Sequence, residues 1–199
     1  MNDLLIKYNE YSRLIGYEIT YRLSNGDDIC FQYRIENFLH LLGLHKLDDI
    51  KIIQLWLDKS NRAVKMKDVL RRIKKEKLCH SHIISSIKFP IIRDWYEEFT
   101  YSNLVSLMYT DAVINFNPTK IHSSLKSDYI LFKELNSNSY NCLGIAYDYN
   151  RQFRYVETFF NDKYGNYIKN QTVVQIISMT VKDKDGKVIY YKTFTWHVS

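Results

Sequence analysis

The segment His40-Leu-Leu-Gly-Leu-His-Lys46 gathers two imidazoles and an ammonium group within seven residues. Imidazole gives and takes protons near neutral pH. An ammonium group holds a phosphate or steadies an anionic transition state. On a continuous helix, a spacing of five would set His40 and His45 about 140° apart. Gly43 interrupts that geometry, because it can take the left-handed position that ends a helix. His45 and Lys46 then fall on the turn beyond it, with Leu44 folding back as the apolar contact of the cap. This places His40 toward a cleft and Lys46 at its mouth. The same residues also suit a buried histidine satisfied by a carbonyl beside a solvated lysine, and spacing alone leaves both readings open.

Two further features bear on chemistry. The run Tyr155-Val-Glu-Thr-Phe-Phe160, followed by Tyr164 and Gln171, puts Glu157 and Phe159 on one strand face and Thr158 and Phe160 on the other. The Thr158 and Tyr164 hydroxyls are of the kind that grip a phosphate or a ribose, although such residues are ordinary in strands. From Arg62 to Lys88 there are nine basic residues against two acidic ones, an excess of seven where the whole chain carries +6. Arg62, Lys65, Lys67, Arg71, Arg72, Lys74 and Lys75 share one exposed face of a helix whose apolar stripe turns inward. Such a face attracts a phosphate backbone, carries no sequence information, and is equally consistent with a solvated surface. No Walker loop, GxGxxG, HExxH or nucleophile elbow occurs. Cys79, His80 and His82 cluster loosely but lack a nearby fourth ligand, so no metal and no cofactor is expected.

The elements that must position these residues change character along the chain. Tyr17 to Arg34 reads as a β-hairpin around Ser24-Asn-Gly-Asp27. From Glu36 to about Tyr109 the period is helical. A short helix ends at Gly43, a second runs from about Asp48 to Leu57, and a third from Ala63 to Leu78 with Met66, Leu70 and Ile73 inward. A fourth starts near Pro90 and carries Ile91, Ile92, Trp95, Phe99 and Leu104. From Thr110 the period is two, with strands at Asp111–Phe116, Asp128–Leu135, Tyr140–Tyr147, Phe153–Phe160, Thr172–Lys182 and Val188–Trp196. An N-terminal β-hairpin, helices grouped early and an antiparallel sheet grouped late predict an α+β fold rather than a doubly wound parallel sheet. One domain over 1–199 is expected, with a helical part at about 36–109 and a sheet part at about 17–34 and 110–197.

Composition narrows the partners. The chain is 46% hydrophobic and 25% charged, the proportions of a folded protein rather than a disordered one. Its positive charge favours anionic partners. Its 17 tyrosines supply rings on which single-stranded bases can stack. Cys30, Cys79 and Cys142 form no CxxC pair, which suggests free thiols in a reducing compartment. With no leader pattern at Met1–Glu10 and no apolar run of membrane length, a cytoplasmic location is expected.

Phe38-Leu-His-Leu-Leu-Gly-Leu-His-Lys-Leu47 after a strand resembles the signature of the phage-associated barnase/EndoU/colicin/RelE-like (BECR) nucleases, in their fourth phage-borne group. Ile92-Arg93, Ser127-Asp-Tyr-Ile-Leu131, Glu157-Thr-Phe-Phe160, Tyr164 and Gln171 follow in the order the family has, so the resemblance spans roughly Tyr17 to Ser178. The chain departs from it at Leu39, where the family often has proline before the first histidine. The resemblance implies an α+β nuclease fold with helices packed on a curved antiparallel sheet, and a metal-independent endoribonuclease working in phage, host and plasmid conflict with RNA as partner; a variant of that reading is a toxin held in check by a cognate protein or RNA antitoxin. It implies His40 and His45 as base and acid in either order, Lys46 and Arg93 as charge stabilisers, Thr158 and Tyr164 as phosphate grips, and Gln171 on the RNA. The rival reading is a non-catalytic nucleic-acid- or protein-binding domain. The two separate on whether the histidine turn opens into a cleft with Thr158 and Arg93.

Overall fold

The computed structural model describes residues 2–60, 64–136 and 138–195. Among the described residues, seven α-helices occupy mainly the first half: α1 (Asp3–Ser12), α2 (Phe38–Leu41), α3 (Lys51–Leu57), α4 (Met66–Lys74), α5 (His80–Ile84), α6 (Phe89–Glu98) and α7 (Tyr101–Met108). Eight strands follow the order β1 (Glu18–Leu23), β2 (Asp28–Gln32), β3 (Ala112–Asn115), β4 (Ser127–Asn136), β5 (Ser139–Asp148), β6 (Phe153–Asp162), β7 (Thr172–Lys182) and β8 (Val188–Thr193). The fold is α+β, as the segregation of periods predicts.

The hairpin β1–β2 forms in the expected place, with Ile19, Tyr21 and Leu23 buried on one face and Gly26 at the turn. Strands lie in the order β1-β2-β6-β5-β4-β3-β7-β8. Antiparallel pairing of β1 with β7, from Glu18 opposite Lys182 to Leu23 opposite Ile176, closes the sheet into a barrel. Closure is not visible in a local pattern, because it joins residues more than 150 positions apart. One pairing is parallel: Phe31 and Gln32 of β2 lie beside Arg154 and Tyr155 of β6.

Alternation along β3–β6 feeds two apolar clusters. Val113, Leu131, Leu143 and Phe159 join the large core shared with the helices. Their neighbours Ile114, Ile130, Cys142 and Phe160 form a smaller one with Phe116. This part of the sheet is therefore covered on both faces.

The helices differ in detail from the sequence pattern. The helix expected from Pro90 through Leu104 is two, α6 and α7. The chain leaves helical geometry at Phe99, and the Thr100 side chain caps α7 by accepting from the Asn103 N–H at 3.2 Å. The sequence pattern announces neither α1 nor α5. α1 packs Leu4, Tyr8 and Tyr11 into the core even though it carries no clean apolar stripe. α4 is shorter than the Ala63–Leu78 expectation, and Ala63 lies outside the described residues. α4 turns Val69, Leu70 and Ile73 inward. The last strand ends at Thr193, with Trp196 outside the described residues.

Candidate active site

The chain leaves α2 through Gly43, whose φ of +73° is left-handed, into a tight turn at Leu44–Lys46. Two requirements select glycine here. A side chain rarely adopts that φ, and a Cβ would lie 2.7 Å from the Trp95 ring and 2.9 Å from Ile92. α6 thus presses directly on the turn, and Leu41, Leu42 and Leu44 are buried around it. The consequence is that His40 and His45 fold toward each other. Their ring centroids are 4.8 Å apart at 42°, and the Trp56 ring of α3 meets His40 edge-on at 5.3 Å.

Opposite the two imidazoles runs β6. Its ladder with β5 slips by one residue between Gly144, opposite Thr158, and Ile145, opposite Val156. Glu157 is the extra residue of this bulge, so Glu157 and Thr158 line the same cleft although strict alternation would set them on opposite faces. Asn37 donates its side-chain N–H to the Val156 carbonyl and pins the bulge to the start of α2. Ser127, buried on β4, donates its hydroxyl to the Glu157 carboxylate at 2.7 Å. Gly144 makes room for this arrangement. A Cβ there would press on the Ser127 hydroxyl and lie 2.7 Å from the Thr158 methyl.

The resulting cleft has a volume of about 370 Å³ and is lined by Asn37, His40, His45, Leu125, Tyr155, Glu157 and Thr158. Burial disfavours charge on both imidazoles. His40 is lowered from its ordinary value, and His45 is lowered to about 4 by burial, by His40 and by Lys46. The His45 Nδ1 is buried and has no hydrogen-bond partner among the described residues. At the rim, the Arg34 guanidinium lies 4.6 Å from the Tyr155 ring and 3.8 Å from that of Phe153, and bonds Asp148 at 3.1 Å. Its Nε and Nη2 have no partner among the described residues.

Of the expected site residues, His40, His45 and Thr158 come together. Lys46 is exposed directly beyond His45 and is not part of the lining. Arg93 stands exposed on α6, 5.8 Å from the Phe89 ring and outside the lining. The histidine turn therefore opens into a cleft with Thr158 but without Arg93. Tyr164 is an exposed ring on the turn after β6, outside the lining, and its carbonyl accepts from Lys169. Gln171 uses both ends of its amide on the Asn117 backbone, at 2.9 and 3.1 Å, and so clamps a loop. Lys65, Lys67, Arg71, Arg72, Lys74 and Lys75 are exposed along and beside α4, and Arg62 lies outside the described residues. Glu157, Asn37, Tyr155 and Ser127 are the members that sequence reasoning missed. Glu157 and Ser127 stood in the ordered motif, but only the bulge turns Glu157 into the cleft.

Among the described residues, no group of three or more His, Cys, Asp or Glu is placed to hold a metal. His82 turns its Nδ1 to the Cys79 sulfur at 2.9 Å, whereas the His80 Nδ1 faces the Tyr96 hydroxyl at 3.2 Å. No helix among the described residues is long and apolar enough to cross a membrane.

Fold and cleft define an α+β protein in which a helix-end turn and a bulged strand bring acid–base groups to one concavity. The chain belongs to the phage-Barnase-EndoU-ColicinE5/D-RelE like nuclease4 family, whose model matches residues 4–194. That membership supports a nuclease function and with it a nucleic-acid substrate. No curated protein and no solved structure matches the chain.

Proposed function

We propose that the cleft cleaves RNA without a metal, using the substrate's own 2′-hydroxyl as nucleophile. The observation that carries this reading is the meeting of two imidazoles with a carboxylate and a hydroxyl around one cleft. Transesterification needs a base to take the 2′ proton, donors for the phosphorane and an acid for the departing 5′-oxygen. The 2′-oxygen bonds to phosphorus as the bond to the 5′-oxygen breaks, leaving a 2′,3′-cyclic phosphate and a free 5′-hydroxyl. His45, with the lower proton affinity and an unpaired Nδ1, suits the base, and His40 suits the acid. Thr158 and Asn37 would hold the phosphate, and Glu157, anchored by Ser127, would serve as a second proton acceptor. Lys46 at the mouth and the α4 face supply positive charge along the RNA backbone. Arg93 and Tyr164 would act on the strand beyond the cleft. In this reading the protein is an effector of conflict between phage and host, held in check by a cognate antitoxin.

The test is cleavage of a single-stranded RNA in EDTA by wild type, His40→Ala and Lys46→Ala, with single-stranded DNA as control. Cleavage of RNA alone, ending in cyclic phosphate and falling in His40→Ala by roughly 10²–10⁴, is the expected result. Undiminished activity in both variants removes this site, and cleavage of DNA at the same rate removes the 2′-hydroxyl mechanism.

A further inference from the structure

The most strongly apolar of the concavities among the described residues lies away from the cleft and shares no lining residue with it. It opens between α7 with the end of α1 on one side and β1, β7 and β8 on the other, and has a volume of about 480 Å³. Tyr101, Tyr109, Tyr190 and Met108 contribute much of its wall. Tyr109 and Tyr190 meet edge-to-face at 5.3 Å, the geometry in which rings receive another ring.

Tyr33 and Arg13 are both lining residues, and their polar groups differ in access. Tyr33 belongs to the wall and is 2% exposed, and its hydroxyl has no hydrogen-bond partner among the described residues. A buried hydroxyl without a partner destabilises the fold and is rare in a native interior. Arg13 is exposed at the rim, its guanidinium 4.3 Å from the Tyr101 ring, and among the described residues it has no acidic partner. Stacking on Tyr101 leaves the edge of the guanidinium free for a carboxylate.

We propose that this cavity is a second ligand site, for a planar bicyclic aromatic acid. The rings would lie among the tyrosines, and the carboxylate would meet Arg13. Apolar walls with a few convergent polar groups are the usual construction of a small-molecule site. A nucleotide also pairs a ring with an anion, but its ribose hydroxyls would be left against apolar side chains.

The experiment is methionine-methyl NMR of the whole chain, reading Met108 in the cavity wall against Met66 on α4 as control. Indole-3-acetate is the probe, indole its neutral counterpart and adenosine 5′-monophosphate the nucleotide. A saturable shift of Met108 alone with indole-3-acetate, about tenfold weaker in Arg13→Gln while indole is unaffected, is the expected result, since only the charge-assisted bond is removed. Absence of any Met108 shift at millimolar indole-3-acetate, or the same affinity in Arg13→Gln, overturns the proposal. A Met108 shift with the nucleotide but not with indole-3-acetate overturns the ligand class.

Discussion

The cleft beneath the histidine turn and the cavity beside α7 both take polar rings out of water, and the chemistry that results differs. Desolvation pushes every ionisable group toward its neutral form. For an imidazole the neutral form is the base, so lowering His45 to about 4 makes it a proton acceptor at neutral pH. For a phenol the neutral form is the weak acid, so burial raises Tyr33 and Tyr109 and leaves them able only to hydrogen-bond. The same physical cost thus yields acid–base capacity in one place and recognition capacity in the other. The cleft adds what the cavity lacks, a carboxylate and two imidazoles lining one concavity.

The widest separation between the two regions should come from paired variants. His45→Asn is expected to lower RNA cleavage by roughly 10²–10⁴, whereas Val105→Trp, which fills the cavity, should leave the cleavage rate as it is while abolishing the Met108 response. A Val105→Trp protein that is folded but inactive would show that the regions are coupled. Next in size is Gly144→Val. Its side chain must displace Ser127 and Thr158, so we expect a loss of about 1–3 kcal/mol in urea denaturation together with loss of cleavage. Normal stability in this variant would mean that the bulged wall yields without cost.

A third contrast is in pH. The folded-state value of His45 lies below its ordinary 6.5, so the unfolded chain binds the proton more readily. Stability is then fully present above pH 6.5 and is lost as pH falls toward 4. Melting temperatures across that range should fall less steeply in His45→Gln than in wild type, and the cavity variant should follow wild type. The kcat/KM profile should be bell-shaped with its maximum on the acid side of neutrality, because base and acid are both lowered. The smallest effect is electrostatic. Lys67→Gln with Arg72→Gln on α4 should make the salt dependence of RNA affinity shallower by about one log–log unit for each phosphate that these side chains neutralise. An unchanged slope would take α4 off the RNA path.

Local patterns made much of the scaffold legible. The β1–β2 hairpin follows from alternation around Ser24-Asn-Gly-Asp27, and the α2 stop follows from Gly43, because each depends on neighbours in sequence. The break between α6 and α7 was hidden because apolar spacing runs straight through it, and only Thr100 marks the cap. In the site, His40, His45 and Thr158 could be singled out by type and order. Glu157 could not, since alternation sets it on the face opposite Thr158 and the register slip that reverses this depends on how β5 pairs with β6.

What sequence alone determined is therefore the inventory: an α+β chain with a basic helix, an imidazole turn around a glycine, and a hydroxyl-bearing strand in a fixed order. Local backbone preference and periodicity suffice for these because they act over a few residues. Tertiary structure alone decided that β1 closes on β7, that Arg93 lies outside the cleft while Glu157 lies inside it, and that Tyr33 is left with an unpaired hydroxyl beside an apolar cavity. Those outcomes depend on long-range pairing and on which surfaces exclude water, and neither quantity is written in any short stretch of residues.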